Sequence, residues 1–292
     1  MSGFTAVLTV LMLNQTSFDL QGHRGARGHA PENTLPGFER ALAIGVDTLE
    51  LDVGVTRDGV VVIHHDRRLN PDLARGPDGA WVSAPAPAIH SLTHAELQRY
   101  DVGRIRPGSE YAKHFAHQKP VDGARVPRLD ELFALAGAGV KFNIETKLSA
   151  KAPDETLAPE PFARALVAGV RKAGVAARTT IQSFDFRTLA VVQREAPEIR
   201  TAYLTSGKKG EAIPRLVHEA GGAIWSPNFQ DLDAHALAVA RELGLRVIPW
   251  TVNEPADIAR VLEMKVDGII SDYPDRVRAR MKRLGMALPG NR

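Results

Sequence analysis

The chain has 292 residues, 44% hydrophobic and 24% charged, enough for a sizeable core in one large domain or two small ones. Its net charge of +3 comes from interspersed acidic and basic residues, a pattern that argues against a nucleic-acid partner. There is no cysteine, so disulfides and thiol chemistry are excluded.

An apolar run at residues 4–13 has no positively charged leader before it and no clear small-x-small cleavage site after it, and it is too short to cross a bilayer. It reads as an N-terminal segment packed on the fold, with the remnant of a signal peptide as the alternative. The compartment, whether cytoplasmic or periplasmic and secreted, therefore stays open. No later run is long enough for a transmembrane helix, so stable membrane insertion is not expected.

From residue 18 onward, eight strand-like runs alternate with eight helix-like ones. Strands are predicted at residues 18–23, 48–53, 140–146, 179–184, 201–204, 223–226, 246–251 and 268–271. Helices are predicted at residues 35–44, 128–137, 161–173, 186–195, 211–220, 234–243, 255–264 and 275–284. Eight βα units in this length predict one (β/α)8 TIM barrel domain over residues 1–292. The rival, an open doubly wound sheet, usually carries a G-x-G-x-x-G turn, and GARGHA lacks that spacing. The basic end of the chain, RVRARMKRLGMALPGNR, reads as the solvated face of the last helix plus a tail.

A ninth strand-like run, residues 60–65, follows the second strand after a short link ending in Thr-Arg-Asp-Gly. So short a link cannot make a parallel crossover, so the two runs form an antiparallel hairpin. Pairing outward from the turn brings His64 and His65 beside Asp52. Residues 67–126 then break the alternation with Pro71, Pro77, Pro85, Pro87, Pro107 and Pro120 and no sustained period. They read as a small cap inserted in the second βα connection, over the C-terminal face of the barrel, where Trp81 and Tyr111 would influence selectivity.

Strand alternation places the candidate chemistry. In LELDV, Leu49, Leu51 and Val53 share the face toward the helices, so Glu50 and Asp52 point into the barrel. In KFNIETK, Asn143, Glu145 and Lys147 point inward in the same way, and the neighbouring strand brings Glu145 to the first two carboxylates. Three carboxylates make an oxygen-only site suited to one divalent cation, Mg2+ or Ca2+. Lys147 either meets an anion or neutralises those carboxylates. His23 closes the first strand, Arg24 offers a planar fork suited to phosphate, and His65 ends the hairpin. Two histidines flanking one metal-bound anion suit general acid–base phosphoryl chemistry. His64 points to the opposite face from His65, His29 is undecided, Asn33 or Thr34 caps the first helix, and Glu32 reads as structural.

Taken together and in order, HRGARGHAPENT, ELDVGVTRDG, VVIHHD, NIETK, IQSFD, WTVN and VDGIISDYP resemble the glycerophosphodiester phosphodiesterase family from about residue 19 to residue 274. The resemblance implies a metal-dependent (β/α)8 barrel that splits a small-molecule glycerophosphodiester into glycerol 3-phosphate and an alcohol. It implies His23 and His65 as the acid–base pair, Glu50, Asp52 and Glu145 as metal ligands, and Arg24 and Lys147 as phosphate contacts. It leaves open which histidine is the acid, and whether water or a substrate hydroxyl is the nucleophile. Thr146 stands where the family more often has a branched apolar residue, and residues 67–126 match only loosely. The alternatives are a lysophospholipase D or sphingomyelinase D type enzyme, which needs an apolar groove, and a non-catalytic module, which would lack one of these histidines or carboxylates. The oligomeric state stays open.

Overall fold

The computed structural model describes residues 17–290, so the apolar run at residues 4–13 lies outside it. The first elements are β1 (Asp19–Gly22), α1 (Leu35–Ile44), β2 (Thr48–Val55) and β3 (Val61–Ile63), followed by two short helices, α2 (His94–Leu97) and α3 (Glu110–His114). Then come α4 (Leu129–Leu135), β4 (Lys141–Thr146), α5 (Pro159–Lys172), β5 (Thr179–Ser183), α6 (Phe186–Glu195), β6 (Arg200–Thr205) and α7 (Ala212–Glu219). The chain ends with β7 (Ile224–Pro227), α8 (Ala234–Glu242), β8 (Arg246–Val247), α9 (Pro255–Glu263), β9 (Gly268–Ser271) and α10 (Pro274–Arg283).

Eight strands run parallel in the order β8-β7-β6-β5-β4-β2-β1-β9, and β3 pairs antiparallel with β2. Backbone bonds from Asp267 N to Val247 O (2.9 Å) and from Ile270 N to Pro249 O (3.0 Å) join the two ends of that order. The result is a nearly closed barrel with helices between its strands, consistent with the TIM barrel read from the βα alternation. β8 is shorter than predicted because Pro249 has no N–H to continue the ladder. The chain stays on the barrel wall there through Ile248 N to Trp225 O and Trp250 N to Pro227 O, each 3.0 Å.

Local sequence accounts for the elements. Thr34 caps α1 by accepting from Gly37 N, Pro36 sits in its first turn, and Gly45 ends it at φ +86. In β2, Leu49, Leu51 and Val53 are fully buried in the layer between strands and helices, together with Phe38 and Leu132. The β2–β3 hairpin pairs Val53 with Ile63, and His64 N donates to Asp52 O at 3.0 Å, which is the level expected from the turn.

Residues 67–126 hold more structure than their sequence suggests, because α2 and α3 are too short to show a period. A small apolar cluster of Val62, Leu69, Ala74, Ala86, Ile89, Leu97, Val102 and Val126 binds the segment together. It meets the loop after β1, where Lys119 N donates to His29 O (3.0 Å) and Gln118 Nε2 to Arg27 O (2.8 Å).

The barrel floor is polar on one side. Asp19 accepts from Lys141 Nζ (2.9 Å), Thr48 Oγ1 (2.7 Å) and Gln21 Nε2 (2.9 Å). Burial pushes its carboxyl up, but Lys141 and these hydrogen bonds outweigh it and hold the pKa below the ordinary value. A depressed carboxyl stabilises the fold above its unfolded pKa, and that stability is lost as pH falls through the folded value. Asp19→Asn should therefore cost about 1–3 kcal/mol near neutral pH. The gap from wild type in chemical denaturation should close below the ordinary carboxylate range; a gap independent of pH would refute the assignment.

Candidate active site

Strand register assembles the site. Gly22 of β1 lies beside Leu49 of β2 on one side and Ser271 of β9 on the other. The next residue, His23, therefore stands between Glu50 and Asp272. Its Nδ1 is 2.6 Å from Asp272 Oδ1, and its Nε2 is 3.9 Å from Glu50 Oε2. The chain then turns sharply, with φ +50 at Arg24 and +88 at Gly25. This turn aims the Arg24 amide at Glu50 Oε2 (2.9 Å), and a Cβ on Gly25 would stand 2.6 Å from the Gly37 backbone.

Register also gathers the carboxylates, since Asp52 of β2 lies beside Glu145 of β4. Glu50, Asp52 and Glu145 are all buried, and each offers an oxygen within 4.8 Å of the others. Glu50 accepts from Gln182 Nε2 (2.7 Å), and Asp52 accepts from Asn33 Nδ2 (2.8 Å). Lys147 Nζ lies 2.8 Å from Glu145 Oε1 and 3.1 Å from Asp52 Oδ1, while Arg24 Nε is 3.2 Å from Asp52 Oδ2. Burial, with Asp52 adding to it, pushes Glu50 well above its ordinary pKa. Burial lifts Glu145 to about 7, partly opposed by Lys147. Burial pushes Asp52 up as well, but Lys147 and Arg24 outweigh it and hold it well below. Carboxylates driven toward neutrality, with Asp52 Oδ1 lacking a well-aligned hydrogen bond, fit a hard divalent cation.

His65 follows the hairpin. Its Nδ1 lies 2.7 Å from Asp66 Oδ1, and Asn70 Nδ2 donates to Asp66 Oδ2 at 2.8 Å. A cavity of about 250 Å³ is lined by His23, Arg24, Glu50, His65, Glu145 and Lys147 on its polar side and by Phe184, Leu204, Trp250 and Ile270 on its apolar side. His64 does not line it; that ring is tied to Asp66 O (2.8 Å) and borders a separate recess with Leu73 and Val102. His29 is bonded to Asp275 (2.7 Å) with its ring edge against Tyr273, also outside the cavity.

Glu32 holds Arg24 in place, accepting from Nη1 at 2.7 Å and from the Tyr111 hydroxyl. Of the two cap aromatics expected to influence selectivity, Tyr111 thus reaches the barrel mouth. Trp81 does not; it stays in the cap under the Arg75 guanidinium, 5.7 Å from the ring centre. Sequence reasoning missed Asp272, Asp66, Arg27 and Gln182, and read Asn33 only as a candidate helix cap, a role that Thr34 takes. Asp272 was within reach, because closing a barrel sets the last strand beside the first. Asn33, at φ +53, is the non-glycine residue type that most readily takes that conformation.

Glu50→Gln, Asp52→Asn and Glu145→Gln should each weaken binding of Mg2+ or Ca2+ by tenfold or more in titration calorimetry, with far-ultraviolet circular dichroism unchanged. Equal affinity in all three variants would remove the carboxylates from the metal site.

The model of the glycerophosphoryl diester phosphodiesterase family matches residues 23–276. A glycerophosphodiester phosphodiesterase of Bacillus subtilis is 30% identical over 87% of this chain and 83% of its own length. One from Caldanaerobacter subterraneus is 28% identical over 87% of this chain and 93% of its own. A crystal structure from Silicibacter pomeroyi, of a protein named for the same activity, superposes with a TM-score of 0.88 at 36% identity, covering 93% of this chain and 95% of that one. The fold, the family match and these relatives agree: the chain belongs to the glycerophosphodiester phosphodiesterase family of hydrolases.

Proposed function

We propose that the protein hydrolyses small-molecule glycerophosphodiesters to glycerol 3-phosphate and an alcohol, with His23 and His65 as the acid–base pair. The observation that carries this reading is that two imidazoles, each with its own carboxylate on Nδ1, line one cavity with Glu50, Glu145, Arg24 and Lys147. The activity named for the Bacillus subtilis relative supports it. Among the described residues, Phe184 is the one strongly exposed large apolar side chain that lines the cavity. That is too little for an acyl chain, which favours a small diester over a lysophospholipase D or sphingomyelinase D substrate.

Glu50, Asp52 and Glu145 would hold one divalent cation, and their all-oxygen donor set suits Mg2+ or Ca2+. When bound, it supplies Lewis acidity toward a non-bridging phosphate oxygen. Arg24 and Lys147 stay charged at neutral pH, since burial lowers both but the surrounding carboxylates outweigh it. They counter the negative charge that grows on the phosphate. Asp272 and Asp66 fix the tautomers, taking Nδ1–H and leaving Nε2 of each ring to move a proton. Burial, with nearby arginines, lowers His23 to about 4 and lowers His65 as well, so both rings start neutral. A phosphate anion between them offsets the arginine field. One ring takes the proton of the nucleophile at its free Nε2; the other takes up a proton from solvent at Nε2 as the phosphate anion enters, and delivers that proton to the leaving alkoxide.

His23→Ala and His65→Ala should each cut kcat by about 10²–10⁴-fold on glycerophosphodiesters. His64→Ala should cost far less. On a nitrophenyl diester, whose leaving group needs no acid, the variant lacking the acid should recover and the one lacking the base should not. Asp272→Asn should lower kcat about 10–100-fold with little change in KM. A His64 variant as damaged as the His65 variant, or activity undiminished by thorough chelation, would overturn the mechanism.

A further inference from the structure

A second cavity, of about 360 Å³, adjoins the first, and His65, Glu145, Lys147 and Phe184 line both. Its outer wall is Arg67 and Arg68, from the start of the cap segment, with Glu155 from the loop after β4. The inference rests on the reading above, that a glycerophosphodiester is the substrate. The phosphate then belongs at the shared wall, and each cavity takes one of its two ester groups. The first cavity lies in the barrel mouth against Leu204, Trp250 and Ile270 and suits the glycerol unit, which is constant. The second is larger, lies farther out, and is walled by loop residues, as the variable alcohol requires.

We propose that this second cavity is the alcohol subsite, and that Arg67 and Arg68 make it selective for alcohols carrying their own negative charge. Glu155 accepts from Arg67 Nε at 2.8 Å and from Arg68 Nε at 2.7 Å. One carboxylate offsets one guanidinium, so the outer wall keeps one positive charge. Arg68 Nη1 donates to Ala86 O at 2.8 Å, while both Nη atoms of Arg67 and Nη2 of Arg68 have no acceptor among the described residues. These unspent donors form the planar edges that match phosphate or carboxylate oxygens. The other acidic groups bordering the cavity are already engaged: Asp66 by His65 and Asn70, Glu145 by Lys147. A quaternary ammonium is best held by several aromatic faces, and Phe184 is the one aromatic side chain lining this cavity among the described residues.

The test compares kcat/KM at fixed ionic strength for three diesters. Bis(glycerophospho)glycerol leaves an alcohol that carries an ionised phosphodiester, glycerophosphocholine leaves a cationic one, and glycerophosphoglycerol leaves a neutral one. The wild type should favour the anionic diester over the choline diester by at least tenfold, mainly through KM. Arg68→Glu should collapse that ratio, and Glu155→Gln, which frees both guanidiniums, should raise it. A damaged fold would slow all three substrates together and could not move the ratio in opposite directions. A wild-type ratio near one, a preference for choline, or a ratio unchanged in both variants overturns the alcohol subsite. Failure to cleave any of the three diesters overturns the functional reading, and the subsite with it.

Discussion

Three carboxylates buried within 4.8 Å of one another are the constraint to which the rest of the barrel mouth responds. At that separation each like-charge pair repels by roughly 3–4 kcal/mol at an effective dielectric of about 20. The chain answers with Lys147 and Arg24 at ion-pair distance from Asp52, and burial pushes the carboxyls of Glu50 and Glu145 above their ordinary pKa. Each of those basic groups is fixed in turn, Lys147 just past β4 by its backbone bond to Val53 O, and Arg24 by Glu32, which the cap reaches through Tyr111. A bound cation would let all three carboxylates ionise and would loosen the hold of Lys147 and Arg24 on Asp52. In the mechanism proposed above, the same two side chains would then have charge to offer a phosphate anion.

The barrel interior divides into halves that serve this arrangement. On the side of β1, β2, β4 and β5, a chain of hydrogen bonds climbs from Asp19 through Gln21, Asn143 and Gln182 to Glu50. It satisfies both ends of the Gln21 and Gln182 amides and the NH2 of Asn143, leaving Asn143 Oδ1 without a partner among the described residues, and it locks the rotamer of Glu50 from below. On the other side, Ala202, Ile224, Ile248 and Ile270 form an apolar cluster. Thr146 shows the same economy outside the barrel: its hydroxyl bonds Ser183 and Thr188, so a polar residue is tolerated where an apolar one is commoner.

Period-two alternation made much of this legible. It placed Glu50, Asp52 and Glu145 inward, turned His64 away from His65, and set the hairpin level with Asp52. Those inferences needed only neighbouring strands. What remained hidden depends on other kinds of contact. Asp272 lies 249 residues from His23 and meets it only because the barrel closes. Asn33 reaches Asp52 through a left-handed turn that leaves no periodic trace. Tyr111 comes from a five-residue helix in a proline-rich segment, too short to announce itself, and its contact with Glu32 spans 79 positions. Trp81 shares that segment and turns into the cap, so composition alone could not separate the two.

The two histidines are supported in different ways. His65 takes its carboxylate from the next residue, Asp66, itself braced by Asn70 four positions on, so that pair is a local unit. His23 takes its carboxylate from beyond the last strand, and Asp272 is held there by Arg27 and Asn253. The His23–Asp272 contact therefore exists only when β9 is docked on β1, whereas the His65–Asp66 contact needs no more than the hairpin end. Opening of the barrel between β9 and β1 would silence one imidazole and leave the other intact. In the two-histidine mechanism proposed above, proton transfer would in that way depend on a closed barrel.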